Sequence, residues 1–452
     1  MKAAVYTLGC KLNQCESEAL ASSFDSRGFF IGTYRDDAEI YIINTCTVTS
    51  KAEQKARRII RKLSSEHPHS AVVVTGCYAQ LNREDLELAE NVIVVPHDNK
   101  TDLNRLPEYL TGLDFSSEKG SLADSVRSFF DKTSSRQDDP DRFWYDSVDF
   151  NYHTRAFLKI QDGCDNSCAY CRVTIARGDS VSLDSDSVLR QFNRLQSEGF
   201  REVVLTGVNL SSYKSGEIDF TDLLENLSNQ AFRTRIRLSS LEPETIDSRM
   251  AGVIRNEMIC SHFHIPVQSG SDRILSLMMR HNNRDRIIRA VDALRSAKDD
   301  PFMAADVIAG FPGETDEDFE QTRSLLSECD FTHLHVFPFS ARPGTAAFDM
   351  KHKVPERIAA ERTKILRQLS EENFARYKRR QTGRVVEVLI EEERDGFQVG
   401  TSGNYLKSAI CDIIKEGSGV CRAEVLADDS PGNCGNGSFS SETLACKFIE
   451  WT

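Results

Sequence analysis

No stretch of the chain approaches the roughly 18–20 consecutive apolar residues that a bilayer-spanning helix needs, so an integral membrane protein is excluded. The opening residues, Met1-Lys2-Ala3-Ala4-Val5-Tyr6-Thr7-Leu8-Gly9-Cys10, lack the apolar core and small-residue cleavage site of an export signal. A cytoplasmic location is therefore expected. Positive charge is in short supply as well: 56 Lys and Arg face 69 Asp and Glu, a formal net charge of −13. That balance argues against polyanion binding by the surface at large and leaves room for a local basic patch. There is no internal repeat and no evident Ser/His/Asp catalytic set. At 452 residues the chain is too long for one simple core and predicts about two to four domains.

What the chain does have is cysteine, 13 in all. A reducing compartment does not use thiols for structural disulfides. A single Cys is by default a small buried hydrophobe, but clusters at ligand spacing need another explanation.

Residues 1–111 alternate short apolar strands (Ala3–Leu8, Ile40–Asn44, Ala71–Thr75, Asn91–Val95) with helical stretches at Ser17–Ser26 and Lys51–Leu63. That pattern predicts a parallel α/β sheet, in which ligands gather beyond the carboxyl ends of the strands. Cys10, Cys46 and Cys77 each stand just past such an end. Residues 112–150, rich in Ser, Asp and Gly, predict a linker, with Phe143, Trp144 and Tyr145 docking it onto a neighbour. From 151 to 380 the strand–helix alternation resumes, about six repeats ending in a charged helix at Val354–Arg380, which suits a partial or full β/α barrel. Residues 381–452 show strands at Arg384–Ile390, Phe397–Gly400, Tyr405–Ile410 and Ala423–Val425 without helices, a small OB-like β-barrel.

The sharpest signal is Gln161-Asp162-Gly163-Cys164-Asp165-Asn166-Ser167-Cys168-Ala169-Tyr170-Cys171, directly after the first barrel strand. Zinc sites usually pair four ligands as two separated couples, and no second couple is near. A [4Fe–4S] cluster usually takes four Cys; three on one loop leave one iron open to a small chelating molecule. S-adenosylmethionine is the cofactor associated with the radical chemistry of such an iron. A zinc knuckle or three buried thiols is the plainer alternative. Cys10, Cys46 and Cys77 could hold a second cluster with an open iron, or be ordinary core cysteines; Cys15 competes with Cys10 as ligand, and the position after a strand favours Cys10.

These residues resemble the radical S-adenosylmethionine superfamily, and within it the methylthiotransferases. The resemblance rests on the Cys164–Cys171 loop with Ile175-Ala176-Arg177-Gly178, on Thr7-Leu8-Gly9-Cys10-Lys11-Leu12-Asn13-Gln14, Asn44-Thr45-Cys46-Thr47-Val48-Thr49 and Thr75-Gly76-Cys77. It extends through Leu205-Thr206-Gly207-Val208-Asn209-Leu210, His264-Ile265-Pro266-Val267-Gln268-Ser269-Gly270, Asp306-Val307-Ile308-Ala309-Gly310-Phe311-Pro312-Gly313-Glu314 and Phe337-Pro338-Phe339-Ser340-Ala341-Arg342-Pro343-Gly344-Thr345, nearly the whole chain. The branch it looks most like acts on threonylcarbamoyladenosine in tRNA; sister branches act on isopentenyladenosine in tRNA or a ribosomal protein aspartate.

The resemblance implies one [4Fe–4S] cluster on Cys10, Cys46 and Cys77 and another on Cys164, Cys168 and Cys171. It implies an RNA-binding TRAM barrel at the C-terminus, and a reaction in which one S-adenosylmethionine supplies a methyl group and a second a deoxyadenosyl radical. The methylthio group would replace hydrogen at carbon 2 of the base at position 37, beside the anticodon. An electron donor such as flavodoxin or ferredoxin and a sulfur source would be partners. An iron–sulfur RNA-binding protein without catalysis is the alternative from another class.

Beside that match, Thr206 and Gly207 suit the amino and carboxylate groups of S-adenosylmethionine. Gly310 and Gly313 suit its adenine or ribose, and Tyr170 its adenine; each is also explicable as a strand-to-helix turn or a core residue. Lys55, Arg57, Arg58 and Arg61, on the basic helix after Cys46, are candidate phosphate contacts, and Arg280, Arg284, Arg286 and Arg289 form a second patch. Solvated helix faces explain both equally.

Overall fold

Ile40–Thr45 and Ala71–Gly76 are buried at every position, as strands covered on both faces must be. The structure, a computed structural model, describes residues 1–113, 121–133, 142–143, 154–411, 419–427 and 443–452. Its first unit runs β1 (Lys2–Thr7), α1 (Lys11–Asp25), β2 (Phe30–Gly32), β3 (Ile40–Thr45), α2 (Ser50–Glu66), β4 (Ala71–Gly76), α3 (Cys77–Leu81) and β5 (Val92–Val94). These strands make one sheet in the order β2-β1-β3-β4-β5, all parallel. Successive residues serve opposite faces: Ile40, Ile42 and Val73 join Leu20 and Phe24 on one side, whereas Tyr41, Ile43 and Val72 join Ile60 and Leu63 on the other.

The expected linker is partly structured. After α4 (Leu106–Thr111), α5 (Leu122–Thr133) places Ala123, Val126, Phe129 and Phe130 in the apolar cluster that holds Ala3 and Val73. That i, i+3, i+6, i+7 stripe is a helix period, obscured in sequence by polar neighbours. The Phe143 ring lies 5.7 Å from Lys159 Nζ; Trp144 and Tyr145 lie outside the described residues.

The central unit contains β6 (Ala156–Lys159), β7 (Gln161–Asp162), α6 (Val173–Arg177), β8 (Val181–Ser182), α7 (Ser185–Ser197), β9 (Glu202–Thr206), β10 (Lys214–Ser215), β11 (Ile218–Asp219), α8 (Phe220–Gln230) and β12 (Arg235–Leu238). It continues with α9 (Ser248–Ile254), β13 (His262–Gln268), α10 (Asp272–Leu277), α11 (Arg284–Ala297), β14 (Phe302–Ala309), α12 (Asp316–Glu328), β15 (His333–Pro338) and α13 (Glu356–Gln381). Two parallel sheets, β6-β9-β12 and β13-β14-β15, are joined by the bridges Ile236–Ile259 and Ser240–His264. Among the described residues β6 and β15 do not pair, so this is a partial barrel with an open seam, and α1 packs on β6 at one lip of that seam.

The last unit is a closed barrel of β16 (Val385–Arg394), β17 (Phe397–Ser402), β18 (Lys407–Ile410), β19 (Val420–Val425) and β20 (Leu444–Trp451), in the order β16-β17-β18-β20-β19. β20 has no counterpart among the strands expected from sequence, because its flank is low in complexity, and Tyr405, expected in a strand, sits in a turn at φ 64°. The barrel is pinned to the central unit by two arginines. Arg235 donates to the carbonyls of Glu387 (3.0 Å) and Thr401 (2.8 Å), and Arg237 to that of Ser402 (3.0 Å). Cys411 is disulfide-bonded, where a thiol is the default expectation. No helix among the described residues is long and apolar enough to cross a membrane.

Candidate functional site

Because β1, β3 and β4 are neighbours in register, the residues just past their ends come together. Cys10 is the N-cap of α1, Cys46 follows β3, and Cys77 opens α3. Gly9, at φ 110°, lets the chain pass close over Cys46: a Cβ there would lie 2.8 Å from the Cys46 Cβ and 3.0 Å from its Sγ. Asn13 Nδ2 ties the first two loops by donating to the carbonyls of Leu8 (2.8 Å) and Thr45 (3.0 Å). Cys46 and Cys77 are buried. Cys10 is accessible to solvent yet ringed by protein, so that desolvation pushes its thiol up, with Cys77 adding to the rise. Burial pushes Cys46 up to about 12, and both Cys10 and Cys77 contribute. Cys15 faces elsewhere, its Sγ 3.8 Å from the carbonyl of Phe157 on β6.

The second trio lies on the loop between β7 and α6. Gly163, at φ 70°, opens it where a Cβ would collide with the Asp179 carbonyl at 1.9 Å. The Cys164 N–H donates to Gly178 O (3.1 Å), Ala169 N–H to Met278 O (2.9 Å) and Cys171 N–H to Cys168 O (3.0 Å), which fixes the loop. All three cysteines are half-buried, and burial pushes Cys171 up to about 12.

Arg280, expected on a surface patch, is in fact buried at this loop. Its Nη1 stands 3.5 Å from Cys168 Sγ, and it pairs with Glu242 and donates to Pro266 O at 3.2 Å. The Pro266 carbonyl is turned out by an irregularity in β13 between Ile265 and Gln268. Asn209 Nδ2 reaches Cys164 Sγ at 4.0 Å. Of the other members of that patch, Arg284 pairs with Glu328 (2.6 Å) and Arg286 donates to His281 O (3.2 Å).

Two buried ionic clusters hold the trios against one another, and α3, which begins at Cys77, packs on α6. In the first, Arg177 donates from Nε to Cys77 Sγ (3.2 Å) and from its other nitrogens to Glu16 (3.0 Å), Asp162 (2.9 Å) and Asn13 (2.9 Å). Lys159 pairs with Glu16 (3.1 Å) and Asp162 (2.7 Å), and Lys100 pairs with Glu16. Burial works against both carboxyls, yet Arg177 and the lysines hold them well below the usual carboxylate range. Burial, helped by Arg177, pushes His97 down, toward its neutral form. Three cations thus face two carboxylates beside Cys77. In the second, Arg172 (3.2 Å) and Arg342 share the single carboxylate of Glu53, which also accepts from Thr47 (2.6 Å), the residue after Cys46.

This donor set fits thiolate-ligated clusters. Each trio has a guanidinium on one sulfur, and at the first, where three cations face two carboxylates, bound thiolates bring the missing anion. Among the described residues no three His, Cys, Asp or Glu side chains converge as a single ion requires. A four-iron cube differs in spreading its ligands over separate corners.

The remaining candidates divide. Tyr170 packs half-buried beside Ala169, Ile274, Met278 and Phe311. Thr206 is buried at the end of β9, its carbonyl accepting from Ile160 N–H (3.0 Å), and Gly207 abuts Gln161. Gly310 turns against α13, where a Cβ would meet the Ala359 Cβ at 2.5 Å, and its N–H donates to Glu314 (2.8 Å). Helix packing therefore accounts for Gly310. Gly313 lies nearest Leu277. On α2, Arg58 and Arg61 are exposed and Lys55 stands over the Tyr6 ring, but Arg57 is half-buried and donates to the Tyr78 hydroxyl. The sequence assigns Glu16 and Glu242 no role, marks Arg177 only as part of Ile175-Ala176-Arg177-Gly178, and offers Arg280 only as a member of a basic patch. The signal for Asp162 and Arg172 was their adjacency to the cysteine loop.

Two family models match the chain: Uncharacterized protein family UPF0004 over residues 2–95 and the Radical SAM superfamily over residues 158–326. Threonylcarbamoyladenosine tRNA methylthiotransferase MtaB of Treponema pallidum is 40% identical over 441 residues, covering 86% of this chain and 90% of that protein. The MtaB of Thermotoga maritima is 34% identical over 446 residues, covering 94% and 98%. A tRNA-2-methylthio-N(6)-dimethylallyladenosine synthase of Opitutus terrae is 33% identical over 417 residues, covering 86% of each. Among solved structures, the radical S-adenosylmethionine methyltransferase TsrM of Kitasatospora setae, with cobalamin and a [4Fe-4S] cluster bound, aligns at TM-score 0.52. It is 15% identical over 77% of each chain, a likeness of fold.

Proposed function

The chain belongs to the MtaB-type radical S-adenosylmethionine methylthiotransferases, and from that premise we propose how its residues carry out the family's reaction. It transfers a methylthio group to carbon 2 of N6-threonylcarbamoyladenosine in tRNA. The observation that carries this reading is identity of 34–40% to MtaB proteins of Treponema, Thermotoga and Bacillus over most of the chain.

Cys10, Cys46 and Cys77 would hold one [4Fe–4S] cluster, and Cys164, Cys168 and Cys171 a second that also binds S-adenosylmethionine. When bound, these groups supply the radical and sulfur chemistry that an aromatic C–H demands, since it offers acid–base residues neither an accessible proton nor a leaving group. The protein's own part is to place and polarise them. Arg177 donates to Cys77 Sγ and Arg280 to Cys168 Sγ, so one guanidinium orients a sulfur of each trio. Glu242 aims Arg280, while Glu16 and Asp162 aim Arg177. Glu53, shared by Arg172 and Arg342, joins the first unit to the barrel between Cys46 and Cys171. A base in a single-stranded loop can be splayed out to reach them.

Lys55, Arg58 and Arg61 are exposed on α2, the helix that follows Cys46, and would meet the tRNA backbone; Arg57 serves the interior instead. A reductant of the flavodoxin or ferredoxin class and a sulfur source complete the system, which would operate in the cytoplasm on tRNA. Nucleoside mass spectrometry of tRNA from cells lacking the protein tests the reading. We expect 2-methylthio-N6-threonylcarbamoyladenosine to vanish and its unthiolated parent to accumulate. Loss of the methylthio-isopentenyl nucleoside alone would assign the sister activity.

A further inference from the structure

At the foot of the β/α barrel, opposite the cysteine loop, the first residues of β13 and β15 and the turn between β17 and β18 enclose a cavity of about 210 Å³. Arg155, His262, His333, His335, Tyr405 and Lys407 are among its walls. The surrounding charge is unbalanced. Arg155 pairs with Glu391 (3.0 Å) and approaches Glu202 (3.8 Å), and Lys407 pairs with Glu391 (2.5 Å). Behind them Arg235 (2.6 Å) and Arg237 (2.7 Å) both lie on Glu202. Lys11 Nζ stands 5.5 Å from the Tyr405 ring centroid, and no carboxylate among the described residues is within ion-pair distance of it. Five cations therefore surround two carboxylates. The next acid up the barrel, Asp306, is engaged by His264 at 2.9 Å.

Inside this positive chamber one polar group is left without a partner: His262 is 3% exposed, and its Nδ1 makes no hydrogen bond. Its ring is stacked on Tyr405 at 4.2 Å. Burial, Arg237 and Lys11 push His262 well below its usual value, and burial with His264 and His333 pushes His335 down to about 4. Both imidazoles are thus neutral and fit to exchange hydrogen bonds; Lys11 and Arg155 are their basic neighbours, and burial with Arg237 and Arg155 pushes Lys11 down to about 8. A buried unpartnered nitrogen, flat aromatic walls and surplus cations together describe a receptor for a small anion on a short arm.

We propose that this chamber receives the carboxylate-bearing threonylcarbamoyl arm of the substrate base, with Lys11 and Arg155 facing the carboxylate and His262 and His335 its polar neighbours. The proposal rests on the function assigned above and deepens it, since an isopentenyl arm carries no charge for the chamber to meet. Lys11 directly follows Cys10, so the residue that reads the arm is one peptide unit from the site that would hold the first cluster. A backbone phosphate of the same tRNA has similar charge, and the test separates the two.

Full-length protein is titrated with a labelled anticodon stem-loop that bears, or lacks, the threonylcarbamoyl group; phosphates are common to both. Wild type should bind the modified stem-loop about tenfold to a hundredfold more tightly, the range of charge-assisted hydrogen bonds. Lys11→Gln and His335→Gln, measured separately in case one misfolds, should each lose most of that preference and keep the affinity for the unmodified stem-loop. An equal loss for both stem-loops would assign the chamber to backbone phosphate and overturn the proposal, as would a preference retained by both variants or absent from wild type. If tRNA from cells lacking the protein keeps its methylthio groups, the functional reading itself has failed. If that activity is intact and only the preference survives substitution, the chamber assignment alone falls.

Discussion

Cys10, Cys46 and Cys77 are delivered by the ends of three strands and meet only once β1, β3 and β4 have paired. Cys164, Cys168 and Cys171 are neighbours on one loop and need only its backbone hydrogen bonds. The first site keeps Cys46 and Cys77 buried beside a dense ionic cluster, whereas the second leaves all three thiols half-open. The contrast fits two duties. A site assembled by the fold couples ligand binding to domain stability. A site on an open loop admits a small molecule that must enter and leave at every turnover.

The largest effects that could break this comparison come from single cysteines. Cys168→Ala should abolish deoxyadenosine release on reduction with S-adenosylmethionine, whereas Cys77→Ala should preserve that release and lose only the methylthio product. Equal behaviour in a deoxyadenosine and nucleoside assay would erase the division of labour.

Next come the two arginines. Arg177→Ala removes the buried guanidinium shared by Glu16, Asp162, Asn13 and Cys77 and leaves only Lys100 and Lys159 to hold the two carboxylates, and should cost about 3–5 kcal/mol. Arg280→Ala should cost less, about 1–3 kcal/mol, because burial already pushes Glu242 up and it can take a proton when its partner leaves. Thermal melting in parallel would detect a reversed order.

A smaller effect sharpens the ligand set at the first site. Cys15→Ala removes a buried thiol that faces Phe157, so it should lower stability by about 1–2 kcal/mol and leave iron content unchanged. Iron loss would make Cys15 a ligand.

The smallest expected effect lies outside both sites. His335 is pushed down to about 4 in the folded chain, so the unfolded chain binds the extra proton as pH falls below about 6.5. Stability should be level above pH 7 and fall between about pH 6.5 and 4, by about 1 kcal/mol once solvent screening is allowed for. His335→Gln should flatten the melting temperature over that window, and an unchanged slope would contradict the assignment.

Much of this was legible in sequence, for identifiable reasons. Strands such as Ile40–Thr45 and Ala71–Gly76 announce themselves because burial on both faces demands unbroken apolar runs. The Cys164–Cys171 loop is legible because its ligands are local. The first trio showed only as three strand ends, since nothing in one dimension states that those ends are adjacent. Helix α1 begins at Lys11, six residues before the sequence pattern suggests, because Leu12, Cys15 and Ala19 pack inward among polar neighbours that hide the period. Arg280 reads as part of a solvated basic run; a left-handed turn at Met279 precedes it, and its side chain lies on Glu242 inside. The ionic cluster around Arg177 joins residues from both units and was invisible until the units were docked.

The most direct test of the two-site account is Mössbauer spectroscopy with iron quantitation on anaerobically reconstituted protein. It compares wild type with Cys10→Ala/Cys46→Ala/Cys77→Ala and with Cys164→Ala/Cys168→Ala/Cys171→Ala. The account predicts about eight irons in wild type and about four, as one [4Fe–4S] cluster, in each triple variant. S-adenosylmethionine should perturb the spectrum of the first variant strongly. Four irons in wild type, or a triple variant that keeps all eight, would contradict it.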